Sequence, residues 1–175
     1  MLYKKYGDRI CGSNLTDDLV NFCEQKGVHI AILEPYFPKD AAKCDAQENF
    51  TTNLQIVFPY LHFEMYIYKE GEKEKILKKI AQSQARIVFT TLGMKKQEMA
   101  AMDVLKSCPN IRLGLGVGSS FDYFIGFQKR APQFCQSVGL EWFYRIFTSP
   151  NRIQRLKRIH QAVIVFPLKI LSYKK

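Results

Sequence analysis

The sequence predicts an α/β protein whose mostly parallel sheet is covered by helices and followed by a basic helical C-terminal appendage. Short apolar runs, VHIAIL, LQIVF, RIVFTT and IRLGLGV, alternate with helical patterns. These runs are apolar at successive positions, as strands buried on both faces must be. Near Lys129 the alternation stops and basic, aromatic sequence takes over. We therefore expect a core over residues 1–128 and an appendage over residues 129–175. A chain of 175 residues suits one such core and is too short for two comfortable ones.

The elements follow in order. Ser13 or Asn14 can cap a helix that runs to Lys26, because a short polar side chain accepts from an early N–H. Asp17 and Asp18 suit its positive end, and Gly27 permits the exit. Val28–Leu33 reads as a buried strand, Pro38–Asn49 as a patchy helix and Leu54–Phe58 as the second strand, followed by an aromatic loop that holds His62. Glu70–Gln84 is amphipathic, with Ile76, Leu77, Ile80 and Ala81 on one face. Arg86–Thr91, Lys95–Ser107 and Ile111–Val117 complete the pattern as strand, helix and strand. Ser149-Pro150 starts a tail helix, since proline at the first position lacks only an N–H that has no partner there.

The formal charge is +10, and nearly all of it comes from the tail: ten Lys and Arg from Lys129 onward face Glu141 alone. Such a tail attracts phosphates on a ligand, a nucleic acid or a lipid surface. No recognition-helix or RNA-binding signature accompanies it, which argues against nucleic acid. Aromatic residues Trp142, Phe143, Tyr144 and Phe147 lie just ahead of Arg152, Arg155 and Arg158, a mixture suited to the boundary between water and lipid headgroups. A solvated charged face is the alternative, although surface helices usually mix both signs. The most apolar stretch, Ala162–Leu171, has ten residues and contains Pro167 and Lys169, against the roughly 20 that a spanning helix needs. Five widely spaced cysteines, without a C-x-x-C pair, read as reduced and mostly buried thiols rather than a zinc site. His29, His62 and His160 have no partners at metal or triad spacing and receive no role.

In parallel sheets, ligands bind where strands end and helices begin. Three loops therefore matter: Glu34–Phe37, Leu92–Gln97 and Gly116–Asp122. In the last, glycines let backbone approach a ligand and helix-start N–H groups favour phosphate, though glycines for tight strand packing explain the same pattern. Asp122 is a carboxylate near a strand end or a helix cap. In TTLGMKKQE, Lys95 and Lys96 can meet a diphosphate, Gln97 a sugar hydroxyl, and Glu98 can orient either; a solvated helix start is the alternative.

The pieces LGMKKQE, GVGSSFD, G-x-x-x-R-A-P, Q-x-x-G-L-E-W-x-x-R and P-x-R-x-x-R, in this order, closely resemble the WecG/TagA/CpsF glycosyltransferases of bacterial surface polysaccharide assembly. Met94-Lys95 stands where the family has a small residue and proline, and RICGSNL resembles the family's R-V-x-G-x-D-L. The resemblance implies a Rossmann-like fold with a helical appendage that meets the membrane. It implies transfer of an N-acetylmannosamine-type sugar from a UDP donor to an undecaprenyl-diphosphate-linked sugar, at the cytoplasmic face of the membrane. Neither metal nor cofactor is implied, the UDP-sugar being a co-substrate, and an oligomer is compatible with the family. By the same resemblance, Gly93, Gln97, Glu98, Gly116, Gly118 and Asp122 bind substrate, and Arg130, Arg145, Arg152 and Arg155 bind diphosphate or lipid. The family's early Asn motif and the P-D-G segment bearing its proposed general base have no counterpart in this chain. The catalytic residue is therefore unassigned, with Asp122, Glu98 and Glu34 as the substitutes to consider. The alternative expectation is a non-catalytic or fragmentary membrane-associated relative that binds the lipid-diphosphate intermediate or a partner transferase.

Overall fold

The computed structural model describes residues 12–35, 41–69, 71–118 and 120–121, and in the tail 131–132, 134–135, 140, 143–144, 146, 156 and 159–173. Two compact units divide the chain, Met1–Phe127 and Gln128–Lys175. In the first, the described elements are α1 (Gly12–Lys26), β1 (Ile30–Pro35), α2 (Ala41–Val57), β2 (Phe63–Tyr68), α3 (Lys73–Gln82), β3 (Ile87–Thr90), α4 (Lys96–Ser107) and β4 (Leu113–Gly116). The strands form one all-parallel sheet in the order β2-β1-β3-β4. This is the Rossmann-like α/β arrangement that the alternating pattern predicts.

Strand alternation builds two cores. Ile30, Ile32, Ile87 and Phe89 turn to one face and pack with Val20 and Cys23 of α1, Phe50 and Leu54 of α2, and Phe121. Ala31, Leu33 and Val88 turn to the other, against Ile76 and Ile80 of α3 and Ala100 and Val104 of α4. Each large aliphatic or aromatic side chain removed from water in this way contributes about 1.5–3 kcal/mol.

The run Leu54–Phe58 is not a strand. It continues α2, whose buried residues Phe50 and Leu54, with Phe58 just beyond its end, recur every fourth position while Ile56 is 71% exposed. That spacing is a helical stripe, whereas a strand covered on both faces would have buried successive residues. The second strand is instead Phe63–Tyr68, in the stretch expected to be loop, paired along its whole length with β1. As an edge strand of the described sheet with the charged Glu64 between Phe63 and Met65, it lacks the continuous apolar run of its neighbours.

Helix boundaries also shift. Among the described residues α1 already begins at Gly12, so Ser13 and Asn14 lie within it and neither Asp17 nor Asp18 falls in its first turn. Thr16 donates to Gly12 O at 2.9 Å, and Asn21 donates to Asp17 O at 2.9 Å. The exit is as expected: Gly27 has φ +62°, Val28 N–H donates to Cys23 O at 2.8 Å and Gly27 N–H to Glu24 O at 3.3 Å, the paired bonds of a Schellman turn. Helix α3 is shorter than its amphipathic pattern because Gly71 sits at φ +96° ahead of it and Ser83 leaves it extended. Lys73 of α3 meets Asp103 of α4 at 2.6 Å. The buried thiols of Cys23 and Cys108 are pushed up in pKa by desolvation, as expected for inert structural cysteines.

In the second unit, Gln161–Val165 forms a π-helical turn that runs into α5 (Phe166–Ser172). Phe166 N–H bonds Gln161 O, a wider turn than the α-helical one. Pro167 follows this wider turn, and the change of helical winding accommodates its missing N–H. The helix expected after Ser149-Pro150 lies largely outside the described residues.

One side chain ties the end of α3 to the start of β3. The Asn110 amide donates to Ile80 O at 2.9 Å and to Ser83 O and Ala85 O at 3.2 Å each. Replacing Asn110 with Ala leaves these carbonyls short of a donor and should lower unfolding free energy by about 1–3 kcal/mol. Urea denaturation with an unchanged slope checks this, and a wild-type midpoint would show that the amide is dispensable.

Candidate functional site

The strand order reverses direction at β1: the chain passes from β1 to β2 on one side and returns to β3 on the other. The carboxyl ends of β1 and β3 therefore flank the switch point where open α/β sheets take ligands. The two strand ends are laced together there, since both the Thr91 N–H and its hydroxyl donate to Leu33 O at 3.0 Å. On the other side of β3, Val117 N–H donates to Thr90 O at 3.0 Å. The loops that follow β3 and β4 consequently leave the sheet side by side.

The β3–α4 loop is tight. Gly93 has φ +83° and Lys95 φ 71° with ψ −47°, the only positive φ at a non-glycine among the described residues. This lies in the strained γ-turn region, and such strain persists only when the surroundings impose it. Gln97 N–H donates to Gly93 O at 3.0 Å and Met99 N–H to Lys95 O at 3.2 Å, so the turn feeds directly into α4. A proline is confined near φ −65° and cannot take the Lys95 conformation. The departure at Met94-Lys95 from the family's usual proline thus goes with a loop path closed to proline. Helix α4 starts one residue later than expected, at Lys96, for the same reason.

Gln97 spans the two loops. Its Oε1 accepts from Gly118 N–H at 3.1 Å, and its Nε2 donates to Glu98 Oε1 at 2.9 Å. Gly116 makes this possible, because a Cβ there would stand 3.0 Å from three side-chain atoms of Gln97. Gly118, at φ +54°, turns the chain back toward the glutamine. Of the residues expected to bind substrate, Gly93, Gln97, Glu98, Gly116 and Gly118 are thus brought to one edge. Asp122, Arg130, Arg145, Arg152 and Arg155 lie outside the described residues.

Glu98 is acidic for a physical reason. The hydrogen bond from the Gln97 side chain holds its pKa below the usual 4.5, helped by its own backbone N–H and, against an opposing desolvation, by the Lys95 N–H. The last contact reaches back from the third helical residue to the N-cap, half of a capping box. Glu98 therefore sits in the first turn of α4 with one carboxylate oxygen taking the Gln97 hydrogen bond.

Sequence reasoning passed over Thr90. It is fully buried and donates to Gln97 O at 3.0 Å and Leu115 O at 3.2 Å. A threonine ending an apolar run, IVFT, was the available signal. Two hollows among the described residues lie elsewhere: about 530 Å3 beside His29, Glu64, Tyr66 and Lys79, and about 430 Å3 beside Gln55, Tyr60 and His62. Both open at the amino side of the sheet, and the strand-end geometry outweighs their size in locating the site. The rings of His29 and His62 stack there at 4.5 Å.

The Glycosyl transferase WecG/TagA/CpsF family model matches residues 1–175, the whole chain. The chain belongs to this family. As a WecG/TagA/CpsF member it is placed among the glycosyltransferases of bacterial surface polysaccharide synthesis. The piece LGMKKQE, read above as resembling the family's loop, forms the turn at Gly93–Glu98, and GVGSSFD contributes the turn at Gly116–Gly118, the two loops being joined by Gln97. No described helix is long and apolar enough to cross a membrane.

The lowered pKa of Glu98 sets a pH dependence. A carboxyl depressed in the folded state contributes stability in full above its unfolded value, near 4.5, and loses it as pH falls through the folded one. The stability gap between wild type and Glu98→Gln should be open at pH 7 and narrow below pH 4.5, read from urea midpoints across that range. A gap that is constant with pH would show that the Glu98 charge does not stabilise the helix start.

Proposed function

We propose that this chain transfers an N-acetylmannosamine-type sugar from a UDP donor to an undecaprenyl-diphosphate-linked sugar, inverting the anomeric centre at the inner face of the cell membrane. The observation that carries the reading is the clasp of two glycine turns around Gln97 at the carboxyl edge of the sheet. Gly93, Gly116 and Gly118 offer backbone that a ligand can approach closely. Lys95 and Lys96 are exposed at the positive end of α4, where cations are electrostatically unfavourable. An anionic diphosphate seated there relieves that conflict and gains charge-assisted bonds.

As UDP departs, negative charge develops on its diphosphate, and guanidinium forks stabilise such charge without a metal. Arg130, Arg145, Arg152 and Arg155 are assigned to the UDP or lipid diphosphate on the family pattern. The acceptor hydroxyl must lose a proton to a base within hydrogen-bond reach. Glu34 near the end of β1 beside the switch point, Glu98 at the start of α4 and Asp122, which follows β4 in sequence, are the carboxylates to consider for this role.

Membrane association in this proposal falls to the second unit. Val163, Phe166, Leu168, Ile170, Leu171 and Tyr173 are exposed, with Lys169 among them. Residues 161–173 reach only about 20 Å at about 1.5 Å per residue, short of a hydrocarbon core of about 30 Å. An apolar segment of that length with a basic residue suits a position along the lipid surface.

Purified protein given UDP-N-acetylmannosamine and a lipid-diphosphate N-acetylglucosamine should release UDP and form the disaccharide lipid. Replacing Lys95 and Lys96 with Ala should weaken UDP binding roughly tenfold or more, as expected for lost charge-assisted bonds. Donor binding without turnover would identify a non-catalytic holder. Absence of nucleotide binding would overturn the proposal.

A further inference from the structure

Thr90 ends β3 with its side chain fully enclosed, directly after the apolar Val88 and Phe89. A hydroxyl has one proton to give and is costly to bury without a partner. Here that proton is shared between Gln97 O at 3.0 Å, in the first turn of α4, and Leu115 O at 3.2 Å, in β4. The Thr90 carbonyl takes Val117 N–H at 3.0 Å. One residue therefore holds both the start of α4 and the end of β4.

The linkage continues outward through Gln97, whose Oε1 receives Gly118 N–H at 3.1 Å. Fixing Gln97 O at one end fixes the root of the side chain whose other end holds the glycine turn. Gly116 supplies the clearance, because a Cβ would meet Gln97 at 3.0 Å. Thr90, Gln97, Gly116 and Gly118 thus form a polar clip across two neighbouring loops.

We propose that Thr90 is a positioning residue, acting through Gln97 to set the spacing between the Gly116–Gly118 turn and the start of α4, the two backbone surfaces that would receive the donor diphosphate. The ligand in this inference rests on the function proposed above. The clip belongs to the free protein and can be tested without ligand. In this arrangement Gln97 holds the turn that meets the ligand, and the Thr90 hydroxyl, itself out of the ligand's reach, keeps Gln97 in place.

Thr90→Val preserves shape and removes the hydroxyl, whereas Thr90→Ser preserves the hydroxyl and removes a methyl. Amide exchange at Gly118, followed by NMR on the full chain without ligand, should accelerate roughly tenfold in Thr90→Val and stay near wild type in Thr90→Ser. UDP affinity, measured by calorimetry, should fall roughly tenfold in Thr90→Val and recover in Thr90→Ser. In turnover the loss should appear in the donor KM with kcat little changed. Gly116→Ala displaces Gln97 from the opposite side and should reproduce both effects with Thr90 intact, which keeps the inference testable should Thr90→Val not fold. A Gly118 amide as protected in the folded variants as in wild type would overturn the clip. Faster exchange with unchanged UDP affinity would overturn its positioning role. If wild type itself binds no UDP, the functional proposal falls, and Gly118 exchange alone decides whether the clip exists.

Discussion

The parallel pairing of β1 with β2 on one side and β3 on the other is the constraint on which the rest of the molecule depends. A strand held between two neighbours and apolar at successive positions exposes two faces that water would penalise. Helices α1 and α2 cover one face, and α3 and α4 the other, through Ile30 and Ile32 against Ala31 and Leu33. Since all four strands run the same way, every strand-to-helix loop of the sheet leaves at one edge. The reversal of strand order at β1 places a crevice at that edge before any functional side chain is considered.

Within that edge, polar groups at the ends of an apolar core determine the loop geometry. Thr90 and Thr91 come at the point where β3 passes from buried strand to loop, and each binds a neighbouring element: Thr91 to Leu33, Thr90 to Gln97 and Leu115. Backbone carbonyls that would otherwise lack donors at the close of the sheet are satisfied in this way. The glycines act alongside them, Gly116 by omitting a side chain where Gln97 lies and Gly118 by taking a left-handed turn. In the function proposed above, the two cations at the positive end of α4 and the strained Lys95 serve to meet an anion.

Much of this was legible in the chain. Burial on both faces could be read from VHIAIL and RIVFTT because a doubly covered strand needs continuous apolar residues. The Gly27 exit from α1 was legible because a left-handed C-cap strongly favours glycine. Short apolar runs were less reliable: LQIVF fits a strand and a helical stripe equally well until Phe50 and Phe58 show the fourfold spacing. Edge strand β2 went unread because its partly exposed, aromatic sequence resembles a loop once its pairing with β1 is unknown. Glu98 read either as a ligand group or as part of a solvated helix start, and the structure puts it in the first turn of α4 with Gln97 donating to it.

The order of residues by itself determined the class of fold, the glycines and cations of the two loops, the basic tail and the family to which the chain belongs. These are properties of composition, periodicity and motif, which survive without coordinates. Tertiary structure alone decided that Gln97 bridges to Gly118, twenty-one residues away, and that Thr90 anchors it from beneath. Both contacts exist because β3 and β4 lie side by side, and strand adjacency depends on how the whole sheet packs rather than on any local pattern.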